Sequence, residues 1–418
     1  MRLAFIIFFA GLLLFFCSPA RALTLSVSEP NDKLTTYEEV ITLSGRGLEL
    51  AALAVNRVRL DLNADGTFSC GLVLNRGKNY EEVIGWDAAG GAKKITRRVL
   101  RLVTFPDMEQ KYDDRPHWAR KAVIALASLG VAEGFPDGNF YPNHPLTRGE
   151  MATWLARSEG LLILPPSKDV SQDVPKEHWR AAAIQAVLDK KYMALSGNNY
   201  FGIEEPLTRG EAAKIVIDAE GRAFEQEVKE AFLDVPQTHP FFAQIKKAKD
   251  KKLMKGISLK SPLFEPNRDI SRAEAAILYS RFGRVKWMSK WLFDFSRGFE
   301  PRAYSRINTA PRVLWASIMP TSVPAIDETL VRLIARVEDR EGLENILTVK
   351  ADLSNLDGPP DAEMYDNGTH GDAQAKDGEF ALSFSASPES WGEKIIIITA
   401  NDRYGWQGSG RTTLTVTR

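Results

Sequence analysis

An apolar residue, a hydroxyl, an arginine, a small residue and a glutamate recur together three times. They are Leu146-Thr147-Arg148-Gly149-Glu150, Leu207-Thr208-Arg209-Gly210-Glu211 and Ile270-Ser271-Arg272-Ala273-Glu274. The hydroxyl and the glutamate three positions later have the spacing of a capping box, in which each side chain takes a backbone N–H at a helix start. The arginine falls at the first helical position, where the positive end of the helix dipole disfavours a cation. Helix physics does not ask for Arg there three times. A helix N-terminus carrying a guanidinium is, however, suited to an anion, which Arg can hold through bidentate, charge-assisted hydrogen bonds. Arg148, Arg209 and Arg272 are therefore the candidate ligand-binding residues.

Other groups have plainer readings. His117, His178 and His239 each stand beside a helix start in a separate unit, so capping or packing is favoured over a three-histidine metal site. Asp366-Asn367-Gly368-Thr369-His370-Gly371-Asp372, followed by Asp377-Gly378, is rich in oxygen ligands. Calcium would suit the Asp366–Asp377 loop chemically, but the spacing is not that of an EF-hand and Asx turns explain the same residues. No cofactor is expected otherwise. The chain has no H-E-x-x-H, G-x-S-x-G, C-x-x-C or phosphate-loop motif.

The elements that position these residues follow from periodicity. His117 to His178 and His178 to His239 are both 61 residues apart, as are Arg148 and Arg209, while Arg209 and Arg272 are 63 apart. Each period runs Asp (Asp107, Asp173, Asp234), aromatic start, amphipathic helix, loop, capping box, second helix. The first unit contains Phe105-Pro106-Asp107, His117-Trp118-Ala119, Leu129-Gly130-Val131, Asp137-Gly138-Asn139-Phe140-Tyr141-Pro142 and the capping phrase. In this the units resemble S-layer homology repeats. The resemblance implies a pseudo-threefold helical bundle whose inter-repeat grooves bind cell-wall polysaccharide, often pyruvylated, with the arginine of each capping phrase on the ligand. Trp118 and Trp179 would stack or pack there, and Asp137 joins the expected ligand-binding set. The second unit departs from the pattern at Gly197-Asn198-Asn199-Tyr200, and the third has Pro240-Phe241 where the others have Trp.

Around the repeats the chain reads as β. In residues 23–104 short alternating runs such as Val58, Leu60 and Leu62 are separated by turn clusters, and the stretch resembles bacterial Ig-like modules. Residues 313–418 alternate again and are expected to form a second such sandwich. Residues 284–312 form a basic, aromatic linker, read as packing on the bundle in preference to a patch for wall polymer or lipid. The expected architecture is thus a multidomain chain. An all-α bundle of three repeats (105–160, 168–221, 230–283) lies between two all-β Ig-like sandwiches.

Composition bounds the rest. The 418 residues carry 54 basic and 54 acidic side chains, which gives no global support for binding nucleic acid or anionic membranes. Residues 1–22 read as a secretory signal peptide, too short in its apolar part for a membrane span. Of two cysteines, Cys17 lies in that segment and Cys70 in an apolar run, so no disulfide scaffold is expected. The reading is an exported, non-catalytic cell-envelope protein anchored to an anionic wall glycan. Its alternatives are a wall-active hydrolase using the repeats for targeting, and a surface adhesin.

Overall fold

The computed structural model describes residues 22–109, 115–221, 232–257, 262–299, 304–325 and 328–418. The segment read as a signal peptide, with Cys17, lies outside the described residues.

The first domain consists of two facing sheets. Strands β1 (Thr24–Glu29), β2 (Leu34–Thr36), β3 (Val40–Leu48), β4 (Ala52–Val55), β5 (Val58–Leu60), β6 (Thr67–Val73), β7 (Gly77–Trp86) and β8 (Ala92–Arg101) supply most of it. One sheet has the order β2-β8-β7-β4-β5. The other is β1-β3-β6 plus β9 (Arg306–Asn308), a strand that returns from beyond the helices and pairs antiparallel with β6. Leu43, Phe68, Cys70 and Leu72 of one sheet meet Leu53, Val55, Val83 and Val99 of the other, all at 2% exposure or less. Burial of the Cys70 thiol pushes its pKa up to about 12, which makes it an inert core group and no nucleophile.

Helices α1 (Pro106–Glu109), α2 (Arg120–Ser128), α3 (Arg148–Glu159), α4 (Ala181–Asp189), α5 (Arg209–Glu220), α6 (Phe242–Asp250), α7 (Arg272–Arg281) and α8 (Gly283–Phe293) follow. The capping boxes form at Thr147, Thr208 and Ser271, each with both reciprocal bonds. Gly160 and Gly221 end α3 and α5 in the left-handed conformation, with φ of 61° and 60°, the usual place for glycine just past a helix. The second helix of each repeat packs on the first helix of the next: α3 on α4, α5 on α6, and α7 back on α2. The bundle is therefore closed, and one continuous apolar core runs through all three repeats.

The last part holds β10 (Arg312–Met319), β11 (Ser322–Pro324), β12 (Thr329–Glu338), β13 (Ile346–Asp352), β14 (Ala362–Met364), β15 (Glu379–Ala386), β16 (Gly392–Asp402) and β17 (Gln407–Thr417). Sheets β10-β12-β15 and β11-β17-β16-β13-β14 enclose a core around Val331, Leu333, Ile396 and Ile398.

The expectation of an all-α bundle set between two all-β sandwiches is overturned in three respects. Strands carry more of the described chain than helices do. The helical part is not all-α, because its repeats are joined by antiparallel bridges at Pro145–Ser271, Thr147–Pro206 and Thr208–Asp269. The backbone just ahead of each capping box has N–H and C=O groups in a buried setting, and these need partners. The parts are also not consecutive, since β9 belongs to the first domain's sheet. Without it β6 would be an open edge, and the Ile307 side chain adds a nearly buried residue to that core.

Candidate functional site

Around the axis of the bundle the three capping phrases interlock. Leu146 N–H donates to Ile270 O, Leu207 N–H to Leu146 O and Ile270 N–H to Leu207 O, each at 2.9 Å, so three backbone bonds form a closed ring. Leu146, Leu207 and Ile270 are fully buried. The first two free N–H groups of each second helix are then taken by the following repeat. Arg148 and Gly149 donate to Glu205 O and Ile203 O, Arg209 and Gly210 to Arg268 O and Pro266 O, and Arg272 and Ala273 to His144 O and Pro142 O. The third N–H goes to the capping hydroxyl. No first-turn donor among these is left over for an anion.

The guanidinium groups have the same destination. Arg148 Nε donates to Phe201 O, Arg209 Nε to Phe264 O and Arg272 Nε to Phe140 O, each at 2.8 Å. Their Nη2 atoms donate to Ala194 O, Lys255 O and Glu133 O. Each guanidinium also lies over the ring of the same phenylalanine, at 5.0, 4.8 and 4.4 Å from the centroid. The acids that face them come from the next capping box in the cycle. Arg209 Nη1 donates to Glu274 Oε1 at 2.8 Å, Arg272 Nη1 to Glu150 Oε1, and Arg148 Nη1 stands 3.9 Å from Glu211 Oε1. Thus each glutamate caps its own helix with one oxygen and meets the preceding repeat's arginine with the other. This resolves the oddity of a cation at the first helical position. The side chain leaves its own helix dipole and satisfies the next repeat's loop.

Burial makes these pairs consequential. Arg272 and Arg209 are 1% and 4% exposed, and burial pushes both guanidinium pKa values down while Glu150 and Glu274 oppose it. The loop carbonyls are held in place by the aspartates that open each repeat. Asp107 accepts from Phe140 and Tyr141 N–H, Asp173 from Phe201, Gly202 and Ile203, and Asp234 from Phe264 and Glu265. His117, His178 and His239 cap the first helices, their Nδ1 atoms accepting from Ala119, Arg180 and Phe241 N–H.

Two grooves on the outside of this ring bring predicted site residues together. The first, about 250 Å³, joins Trp179 and the inner edge of Arg272 with Arg157, Arg180 and the Glu133–Pro136 loop. The second, about 300 Å³, joins Trp118 and Arg209 with Arg281 and the Lys255–Ile257 loop. They are equivalent by the repeat: the loop and second helix of one unit, the tryptophan of the next and the arginine of the previous one. Trp118 and Trp179 are each 62% exposed. Trp179 lies 4.1 Å from the Arg180 guanidinium, so its ring is held over a cation. Arg148 lines neither groove. Asp137 stands outside both and closes an Asx turn, accepting from Asn139 N–H and Tyr141 OH. The tyrosine bond is the main reason its pKa is lowered.

Sequence reasoning missed Arg157 and Arg281, the groove cations nine residues after Arg148 and Arg272. Alignment of the three capping phrases would have shown them. It also shows Asp218 at that position in the second repeat, paired with Lys214 at 2.8 Å, and Pro240 in place of tryptophan in the third. In the C-terminal domain the oxygen-rich loop does converge: carboxylate oxygens of Asp366, Asp372 and Asp377 lie within 4.8 Å of one another. Backbone amides donate to the same carboxylates, Asp377 and Gly378 N–H to Asp366, Gly368 N–H to Asp372 and Glu379 N–H to Asp377.

Comparison with known proteins agrees with this geometry. The S-layer homology domain family matches residues 112–152, 172–213 and 231–276. The family described as glucodextranase, domain B, matches residues 23–102. The Surface-layer 125 kDa protein of Lysinibacillus sphaericus is 30% identical over 167 residues, 39% of this chain and 14% of the relative. An uncharacterized cell wall amidase of Bacillus anthracis is 30% identical over 111 residues, 27% of this chain and 20% of the relative. Outer membrane protein SlpA of Thermus thermophilus is 33% identical over 136 residues, 30% of this chain and 14% of the relative. The chain therefore spans a fifth or less of the length of these relatives. No helix among the described residues is long and apolar enough to cross a membrane. The chain is an S-layer homology domain protein of the cell envelope, with three such repeats behind an N-terminal Ig-like domain.

Proposed function

We propose that the protein is a non-catalytic anchor that holds an acidic, pyruvylated wall polysaccharide in the two outer grooves. The observation that carries this reading is the repeated pairing of an exposed indole with a fixed guanidinium. Trp179 stands with Arg157 and Arg180 in one groove, and Trp118 with Arg281 in the other. An indole face suits the apolar face of a sugar ring, and an arginine at its rim suits a carboxylate. Arg209 and Arg272 contribute as fixed positive walls, their hydrogen-bonding edges being held by the protein. Two weak grooves on a repeating polymer act together through effective concentration, so neither needs high affinity alone. The second repeat carries Asp218 where the others carry arginine, and the third carries Pro240 where the others carry tryptophan, so an equivalent groove between them would lack both groups.

Sedimentation with purified wall sacculi tests this. Trp118→Ala/Trp179→Ala should stay folded, because both side chains are largely exposed, and should lose at least about tenfold in binding. Undiminished binding, or full retention on sacculi stripped of pyruvyl groups, would rule the reading out. The amidase relative keeps a wall-active hydrolase as the second reading, and clearing of wall substrate in a zymogram would favour it.

A further inference from the structure

The helices that start in the ring end together around a second, larger space. A cavity of about 890 Å³ lies at the C-terminal ends of α3, α5 and α7, bordered by Glu159, Glu220, Arg281 and the start of α8. A twelve-residue helix is about 18 Å long, so this cavity is well separated from the ring. Cations outnumber acids along its wall, with Lys251, Arg281, Arg284 and Lys286 facing Glu159 and Glu220. Some of that charge is already used. Lys251 pairs with Glu220, and Arg281 Nη1 donates to Leu253 O at 3.1 Å. Arg284 and Lys286 make no ion pair among the described residues.

Two further features distinguish this wall from a set of cations that merely neutralise helix dipoles. Glu159 Oε1 is shielded from solvent and has no hydrogen-bond partner among the described residues, an arrangement that costs free energy until a donor arrives. Burial pushes the pKa of the same carboxyl up, with Arg284 opposing and Glu220 adding to it. Trp287 completes the rim with its indole 65% exposed. The wall thus offers unpaired cations, an unsatisfied acceptor and a flat apolar face. These are complementary to a carboxylate, a hydroxyl donor and a sugar ring.

We propose that this cavity is a second carbohydrate site, adjoining the Trp118 groove through their shared Arg281, which takes an acidic sugar. Trp287 stacks on the ring, Arg284 and Lys286 hold the carboxylate, and Glu159 accepts from a hydroxyl.

The test uses the full chain carrying Trp118→Ala/Trp179→Ala, so that the outer grooves are weakened, and reads the cavity through variants at Arg284 and Trp287, which line neither groove. Trigalacturonate is titrated calorimetrically, with neutral maltotriose as the control. Saturable millimolar binding of trigalacturonate alone is expected, weakened at least about tenfold by Arg284→Gln and by Trp287→Ala. Far-ultraviolet circular dichroism checks that both variants are folded, and the exposed Trp287 gives the safer of the two. Equal binding of the two sugars, no saturable binding, or unchanged binding in both variants would overturn the proposal. The groove reading is measured on sacculi with different residues, so either idea can fail while the other stands.

Discussion

Arg272 shows how a residue's role depends on where its far end goes. It is almost fully buried, yet Phe140 O, Glu133 O and Glu150 take up its guanidinium. Removal of one partner of such a pair leaves the other charged and buried, a cost of about 3–5 kcal/mol. Arg272→Met should lower the unfolding free energy by that order in urea denaturation. Arg272→Met/Glu150→Leu should recover part of it, and an equal loss in both variants would show that the pair is not the cause. Glu81 is the opposite case, a buried acid that makes no ion pair among the described residues. It is fully buried, and desolvation raises its pKa against hydrogen bonds from Ser305 and Asn56. A raised folded-state pKa means that its stabilisation is complete below the ordinary carboxylate range and is lost as pH rises through the folded value. Glu81→Gln should therefore flatten the fall in melting temperature as pH rises above the ordinary carboxylate range. A wild-type slope retained in the variant would place the titration elsewhere.

At the scale of elements, the capping box is the unit that was most legible. Thr147, Thr208 and Ser271, with glutamate three residues on, predict three helix starts, and all three form with both reciprocal bonds. Thr208→Ala should cost about 1 kcal/mol, read as a shift in the urea midpoint without a change in slope. A cost several times larger would mean that the hydroxyl also supports the bridge from Thr208 to Asp269. The histidine caps were readable for the same reason, since capping is local and its partners lie within two residues. The arginine contacts were not readable. Arg148 reaches Phe201 and Arg272 reaches Phe140, 53 and 132 residues away, and periodicity reveals which positions are equivalent without saying which touch. The return of Ile307 to the first sheet was equally hidden, because a three-residue strand carries too little alternation to be recognised.

For the whole molecule the decisive property is closure. In an open repeat array each unit meets only its neighbours, and stability accumulates unit by unit. Here α7 packs on α2, and Arg272 is paired with Glu150, so the third repeat is also the neighbour of the first. The bundle should then melt as one cooperative block. Arg209→Met, made at the second-to-third junction, should lower a single helical transition and should not split it, as followed by ellipticity at 222 nm. Two resolved helical transitions would argue for independently stable repeats. Closure also imposes an order on events when the chain emerges from a membrane from its N-terminal side. Glu150 leaves the exit 122 residues before Arg272 arrives, and β6 precedes its covering strand β9 by more than 230 residues. Neither the first domain nor the bundle can reach its finished state until Arg272 and β9 have emerged. Arg272 and the end of β9 lie only 36 residues apart, so both parts become complete almost together, while the C-terminal sandwich is still to follow.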